Sequence, residues 1–462
     1  MPISRVIILA DRLMVFSFCA LIYFLPISIA LVESFVGLAF FSYLIKCGFI
    51  FYSRLKETQE RSFFKIGSLF WQSFKPVESV LNRPIGVFIF VGFLTIFISQ
   101  YPVLSIKGFF FKLLEWVFIY FNFVECMTTP KRLKIFMNVF LVSATLIMLS
   151  GMVQKIFGTD FIRHYPLMGD RISSSFRHPN NLGGYLVVVT PIILSFFLFY
   201  QPDKQRETKR IFLEKAVTFI FFGLALVCLG LTLSRGAWFA FVAALMFMGF
   251  LKRKFFYISA LIILIFTIFF VPQMKAHRHV SLLSDSVVSE EAQSELKNAP
   301  LSYKDHSEIS PQGPHWYDFV THFAGSGRKS FWAESIRIIE KFPVLGIGLN
   351  TYSQVAPEFK ITWGGYPHNC YLQLTAEMGL VGLASFLWIF VILFCHVLRH
   401  FKTIRADFLS CLFLGSVMSL VGYLTHIAVD TDLYEVQLGN LMWILMGMIV
   451  AIYKIQSTSL KG

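Results

Sequence analysis

Residues 363–382 read WGGYPHNCYLQLTAEMGLVG, and the rest of the chain is read from this stretch. It closes a long polar segment and opens an apolar one. Pro367, His368 and Asn369 stand at the junction. Asparagine is a favoured helix N-cap because its side-chain oxygen takes the first free N–H groups, so His368 is expected at the mouth of a membrane span. Further on, Glu377 puts an ionisable group inside the apolar run. Intramembrane carboxylates are costly and by default mark a functional site. Two readings fit each residue: His368 as interfacial cap or chemical group, Glu377 as the partner of a neighbouring helix or as a substrate contact.

Working outward, the 462 residues are 56% hydrophobic, 17% aromatic and only 15% charged, with 54 phenylalanines and a mean hydropathy of +0.66. Ordinary soluble domains carry about 25% charged residues. Apolar runs long enough for a hydrocarbon core recur along nearly the whole length, which predicts an all-α, polytopic membrane protein of about twelve transmembrane helices. The expected spans are roughly 13–31, 34–52, 85–100, 108–125, 135–154, 181–200, 216–233, 236–251, 255–271, 369–395, 408–429 and 436–453. This divides the chain into helices one to nine (1–271), a large extracytoplasmic loop with an amphipathic helix (272–368), and helices ten to twelve (369–462). The apolar N-terminal run follows Arg5 without a small-residue cleavage site, and it reads as a first span. The seven cysteines are scattered without a C-x-x-C pair, and they read as small buried hydrophobes.

With a cytoplasmic N-terminus, every short cytoplasmic loop is basic and both termini lie inside, as the positive-inside rule requires. The net charge of +14 is thereby explained by topology, with no nucleic acid partner. Against that rule, Arg163, Arg171 and Arg177 fall in the outward loop 156–180, and Arg235 at an outer hinge. A single outward arginine can snorkel to lipid phosphates; several of them with a histidine suggest a pocket for an anion. The segment around His178, Pro179 and Asn180 repeats the chemistry of Pro367, His368 and Asn369, and two outward helix N-termini favour phosphate. In the large loop, Phe331, Trp332, Ile336, Ile338, Ile339 and Phe342 form an apolar stripe at helical spacing. That is expected to lie on the membrane face or to roof the spans. The Gly-rich turn 343–352 has no strand–helix unit around it and is not a nucleotide motif. His277 and His279 lack a third metal ligand and read as solvated.

Four pieces recur in order: Arg171, Phe176 and HPNNLGGY at 178–185; SRGAW at 234–238; PVLGIGLNTY at 343–352; and HNCYLQLTAEMGLVG at 368–382. Together, over about residues 150–395, they resemble the O-antigen ligase and O-antigen polymerase superfamily. The resemblance implies a glycosyltransferase-C-like membrane fold and a donor glycan linked to undecaprenyl pyrophosphate. It further implies a glycan or glycolipid acceptor, and a site on the outer face of the bacterial inner membrane. Matched residue by residue, the family's essential arginines and histidine fall on Arg235 and His368, and on Arg171 with Arg163 and Arg177 as rivals. Asn180, Asn369 and Glu377 complete the expected substrate contacts.

The chemistry is substitution at an anomeric carbon with a lipid diphosphate leaving. Guanidinium groups suit the charge that develops there, at about 3 kcal/mol per preorganised donor. His368 is the natural general base, worth about 10²–10⁴-fold, or a group that binds acceptor or pyrophosphate. No cofactor is called for and no metal is expected, although Asp430 and Asp432 form an outward D-x-D pair that would suit a divalent ion. Ligase and polymerase share this constellation. A lipid-linked saccharide transporter would instead show two similar halves with helices broken near mid-membrane.

Overall fold

The computed structural model describes residues 3–58, 62–201, 208–256, 258–265, 267, 329–359, 366–400 and 407–459. Over these, apart from two isolated β-bridges in the 158–171 loop, the regular structure is helical. The helices are α1 (Ile3–Phe24), α2 (Ile29–Glu57), α3 (Phe63–Phe74), α4 (Asn82–Ile98), α5 (Pro102–Gly108), α6 (Leu114–Cys126), α7 (Pro130–Phe157), α8 (Pro179–Phe199), α9 (Thr208–Leu231) and α10 (Arg235–Leu251). Then come α11 (Lys329–Lys341), the short α12 (Tyr352–Val355), α13 (Cys370–His400), α14 (Phe408–His426) and α15 (Val436–Ser459). Eight of them (α1, α2, α7, α8, α9, α13, α14 and α15) are long and apolar enough to cross a membrane. Helices α4 and α10 are apolar but have 17 residues each, or about 26 Å, against a hydrocarbon core of about 30 Å.

Helices α4 and α10 coincide with the expected spans 85–100 and 236–251; the full count of twelve is not established among the described residues. The run 108–125 is helical throughout, with a π-helical turn at Phe109–Leu113 joining α5 to α6. Of the run 255–271, residues 258–265 are described and are helical; the residues after 267, with the histidine pair His277 and His279 and most of the segment 275–330, lie outside the described residues. The first span is also shifted. Helix α1 begins well before residue 13, because Asp11 in its interior is neutralised by Lys46 of α2 at 3.0 Å and by Arg132 of α7. Helix α2 starts afresh where Ser28 caps it by accepting from the Leu31 N–H.

The centre of the bundle is α8, α14 and α15. Of their apolar windows 78, 72 and 83% is buried, against 22% for α2 and 17% for α9, which form the rim. Glycines let the central helices approach: a Cβ on Gly422 of α14 would stand 2.7 Å from Val187 of α8, and one on Gly415 2.8 Å from Ile192.

Helix α13 is broken at Gly379, whose φ of 68° and ψ of −176° leave the helical region. A break exposes backbone groups that cannot be left unpaired in an apolar setting. The turn 343–352 supplies the partners. The N–H groups of Ile347 and Gly348 donate to the carbonyls of Ala376 and Glu377 at 2.9 and 3.0 Å, and the Leu380 N–H donates to Pro343 O at 2.8 Å. Two of the sequence pieces, PVLGIGLNTY and the EMG of 377–379, are thus one structural unit. The amphipathic stripe forms α11, which packs on α13 through Ala333, Ile336 and Leu372. The indole N–H of Trp332 donates to Pro367 O at 2.8 Å, immediately before His368.

Candidate active site at one end of the bundle

The links between α1 and α2, α7 and α8, α9 and α10, and α14 and α15 meet at one end. Ser175 Oγ donates to Pro26 O at 2.6 Å, the Ile172 N–H to Leu231 O at 3.1 Å, and the Cys370 N–H to Ile427 O at 2.8 Å. At this end the sequence-predicted residues assemble, although not all in the same way.

Helix α8 starts here because His178 caps it, its Nδ1 accepting from the Asn180 N–H at 3.2 Å, with Pro179 in the first turn. That frees the Asn180 side chain. Its Oδ1 accepts from Arg171 Nη2 at 2.5 Å, and its Nδ2 donates to Asp430 Oδ2 at 2.7 Å. The other Asp430 oxygen faces His368 Nδ1 at 3.4 Å. A continuous relay therefore runs Arg171–Asn180–Asp430–His368 across three links of the chain. Its ends differ in exposure: the Asp430 side chain is 7% exposed and the His368 side chain 42%. The carboxylate is held inside while the imidazole opens outward. His368 itself has φ of 48°, a left-handed conformation uncommon for a non-glycine residue and found where structure over-determines it.

Arg171 also donates from Nε to Thr232 O at 2.8 Å, tying the relay to the α9–α10 hinge. There Leu233 takes φ of 48° and Ser234 caps α10 by accepting from the Ala237 N–H. Arg235 follows as the first residue of α10. It is exposed, and among the described residues it makes no hydrogen bond or ion pair. Its neighbour Gly236 lies against the same link as Asp430, since a Cβ there would be 2.7 Å from Val429 and 3.6 Å from the His426 ring. Arg235 and His368 thus flank one short segment, 426–430, at one end of the bundle.

Arg177 and Arg163 stand beside Tyr165. Arg163 donates to Tyr165 Oη at 3.2 Å and to Ile27 O at 2.9 Å. These guanidinium groups, Arg163 first, pull the Tyr165 hydroxyl below its ordinary pKa. Arg177 also faces Glu435, whose carboxyl is raised by burial against the pull of Arg177 and Lys112. Asn369 caps α13, its Oδ1 accepting from the N–H groups of Tyr371 and Leu372 at 3.0 and 3.1 Å. Glu377 is turned to another task. Its oxygens accept from the N–H groups of Asn350 and Tyr352, from Tyr434 Oη and from Gln373 Nε2. It clamps the 343–352 turn into the α13 break.

Sequence reasoning passed over three features. Asp430 and Asp432, the D-x-D pair at which no metal was expected, face different partners: Asp430 the relay, and Asp432 the buried His426 Nδ1 at 2.5 Å. Burial raises the Asp432 carboxyl to about 6 against the pull of His426. Gly184 makes room for this pair, since a Cβ there would collide with the Asp432 carboxylate. Lys112, on the π-helical turn, donates to Asn350 Oδ1 at 2.8 Å and lies 5.4 Å from the centre of the Tyr434 ring. The signal for His426 was an ionisable residue closing an apolar run. Lys112 gave none, because only the π turn aims it here.

Arg235, His368 and Glu377 fall in residues 219–387, which match the family model of O-antigen ligase; Arg163, Arg171, Arg177, Asn180 and Asp430 lie outside the matched residues. No curated protein matches the chain. The segment from the middle of α9 to the middle of α13, which brings Arg235 and His368 to one end of the bundle, is similar to the O-antigen ligase family.

Proposed function

We propose that the protein transfers a glycan from undecaprenyl pyrophosphate to an acceptor hydroxyl at the outer face of the bacterial inner membrane, in the manner of an O-antigen ligase. The observation that carries this reading is the pairing of an open imidazole, backed by a buried carboxylate, with Arg235 across one short link. A base oriented by a third group is the arrangement that activates a hydroxyl. In the step, the acceptor oxygen bonds to the anomeric carbon and the bond from that carbon to the phosphate oxygen breaks. The hydroxyl proton passes to His368, and the electron pair leaves on the diphosphate. Asp430 steadies the imidazolium that forms. Arg235, with Arg171 holding its hinge and Arg177 as a further donor, meets the charge on the leaving diphosphate, where preorganised donors act most strongly. Arg171 serves chiefly to fix Asn180 and the α9–α10 hinge, and Arg163 stands furthest from this work.

Polymerisation of lipid-linked units uses the same chemistry, with a second lipid-linked glycan as acceptor. The transporter alternative draws less support: the one break described within a spanning helix, at Gly379, is filled by the chain's own turn and opens no path. The test is purified protein with a defined undecaprenyl-pyrophosphate glycan and either a glycolipid or a second lipid-linked unit as acceptor. A single transferred glycan is expected; a ladder of products would identify a polymerase, and no transfer to either acceptor would overturn the reading.

A further inference from the structure

At the end of the bundle opposite the site, α7 and α9 part to leave a crevice of about 500 Å³. Its floor is α8, through Ile193, Phe196 and Phe197, and its walls include Met137 and Leu141 of α7 and Phe221 of α9. It extends along α7 from Lys134 to Met148, fourteen residues and so about 21 Å. That is more than half of a hydrocarbon core of about 30 Å, the depth of one leaflet. The crevice is shut towards the site, where Cys228 Sγ of α9 donates to Met148 O of α7 at 3.4 Å. An occupant therefore enters from the opposite end, and a lipid whose diphosphate sits at the site cannot thread its tail in from there.

The mouth is polar. Lys134 and Lys215 flank it, with Glu214, Asn138 and Tyr200. Both lysines are exposed, and among the described residues neither has a hydrogen bond or ion pair. Among the described residues two ammonium groups stand against one carboxylate at the rim, and basic pockets between membrane helices take anionic headgroups. We propose that this crevice is a binding site for an anionic phospholipid of the surrounding bilayer, its phosphate at Lys134 and Lys215 and one acyl chain laid along α8 as far as Met148. The lipid would fill space that the rim helix α9, with little of its surface buried, leaves open against α7.

Native mass spectrometry of the full chain in mild detergent tests this, with phosphatidylglycerol and phosphatidylcholine of identical chains offered in turn. The wild type is expected to retain phosphatidylglycerol at least tenfold more than phosphatidylcholine. The double variant Lys134→Glu/Lys215→Glu is expected to lose that preference, and Thr145→Trp, which fills the crevice, to reduce retention of both lipids. Glycan transfer by these variants controls for folding, and Lys134→Gln/Lys215→Gln replaces the charge reversal should it not fold. Equal retention of the two lipids by the wild type, or a preference that survives neutralisation of both lysines, overturns the proposal. So does displacement of phosphatidylglycerol by undecaprenyl phosphate through the same residues, which would give the crevice to the donor's lipid.

Discussion

Two clusters of side chains at opposite ends of the bundle treat positive charge in different ways. Away from the site, Lys46 lies between two carboxylates, Asp11 at 3.0 Å and Glu125 at 2.9 Å, and Arg132 takes the second oxygen of Asp11. At the site end, Arg171 reaches an amide and a carbonyl oxygen, Arg163 a carbonyl and a phenol, and Arg235 is exposed. Asp430 meets Asn180 and His368. Cations cancelled by carboxylates hold helices together; cations resting on neutral groups keep their charge for something that arrives. The difference supports the proposed division of labour, in which the Lys46 cluster serves stability and the Arg171–Arg235 cluster an anionic ligand.

The sharpest way to break this contrast is to remove a site cation or the imidazole. Arg235→Ala is expected to lower glycan transfer by about 10²–10³-fold and His368→Ala by about 10²–10⁴-fold, with unchanged protein abundance in membranes; transfer retained by both variants would erase the assignment. Asp430→Asn should cost about 10²-fold by misplacing the imidazole, and it should act on kcat more than on KM. At the other end, Lys46→Met leaves Asp11 and Glu125 facing each other. Given their partial exposure, it should destabilise the protein by about 1–3 kcal/mol, read as a lower Tm with kcat per folded molecule unaltered. A loss of kcat there would mean the two ends are not separate in function.

The smallest effect expected is in α11. The Glu334 carboxyl is raised to about 7 by burial, against the pull of Arg337, and its Oε2 is buried without a hydrogen-bond partner among the described residues. A folded pKa above the unfolded value means that its contribution to stability is full below about 4.5 and lost as pH rises through about 7. Glu334→Gln mimics the protonated form. It should therefore raise Tm at pH 8 and leave it nearly unchanged at pH 4, as a pair of thermal melts would show.

Much of this was legible in the sequence because it is local. The helix starts at Pro179 and Arg235, the cap at Asn369 and the amphipathic helix at 329–341 follow from neighbouring residues. What was not legible depends on distant partners. Asp11 sits inside α1 because Lys46 and Arg132 reach it. Glu377 is a clamp because the N–H groups of Asn350 and Tyr352 are delivered to it by a turn that fills the Gly379 break. Asp430 belongs with Asn180, 250 residues away, so the D-x-D spacing gave no sign of the two unrelated contacts that the fold makes.

The most direct test is equilibrium binding of a labelled undecaprenyl-pyrophosphate glycan to the protein in lipid nanodiscs, without acceptor. Arg235→Ala should weaken binding at least tenfold, whereas His368→Ala should bind nearly as the wild type does while failing to transfer. Binding that Arg235→Ala leaves intact would contradict the claim that the uncancelled cation at this end exists to hold the diphosphate.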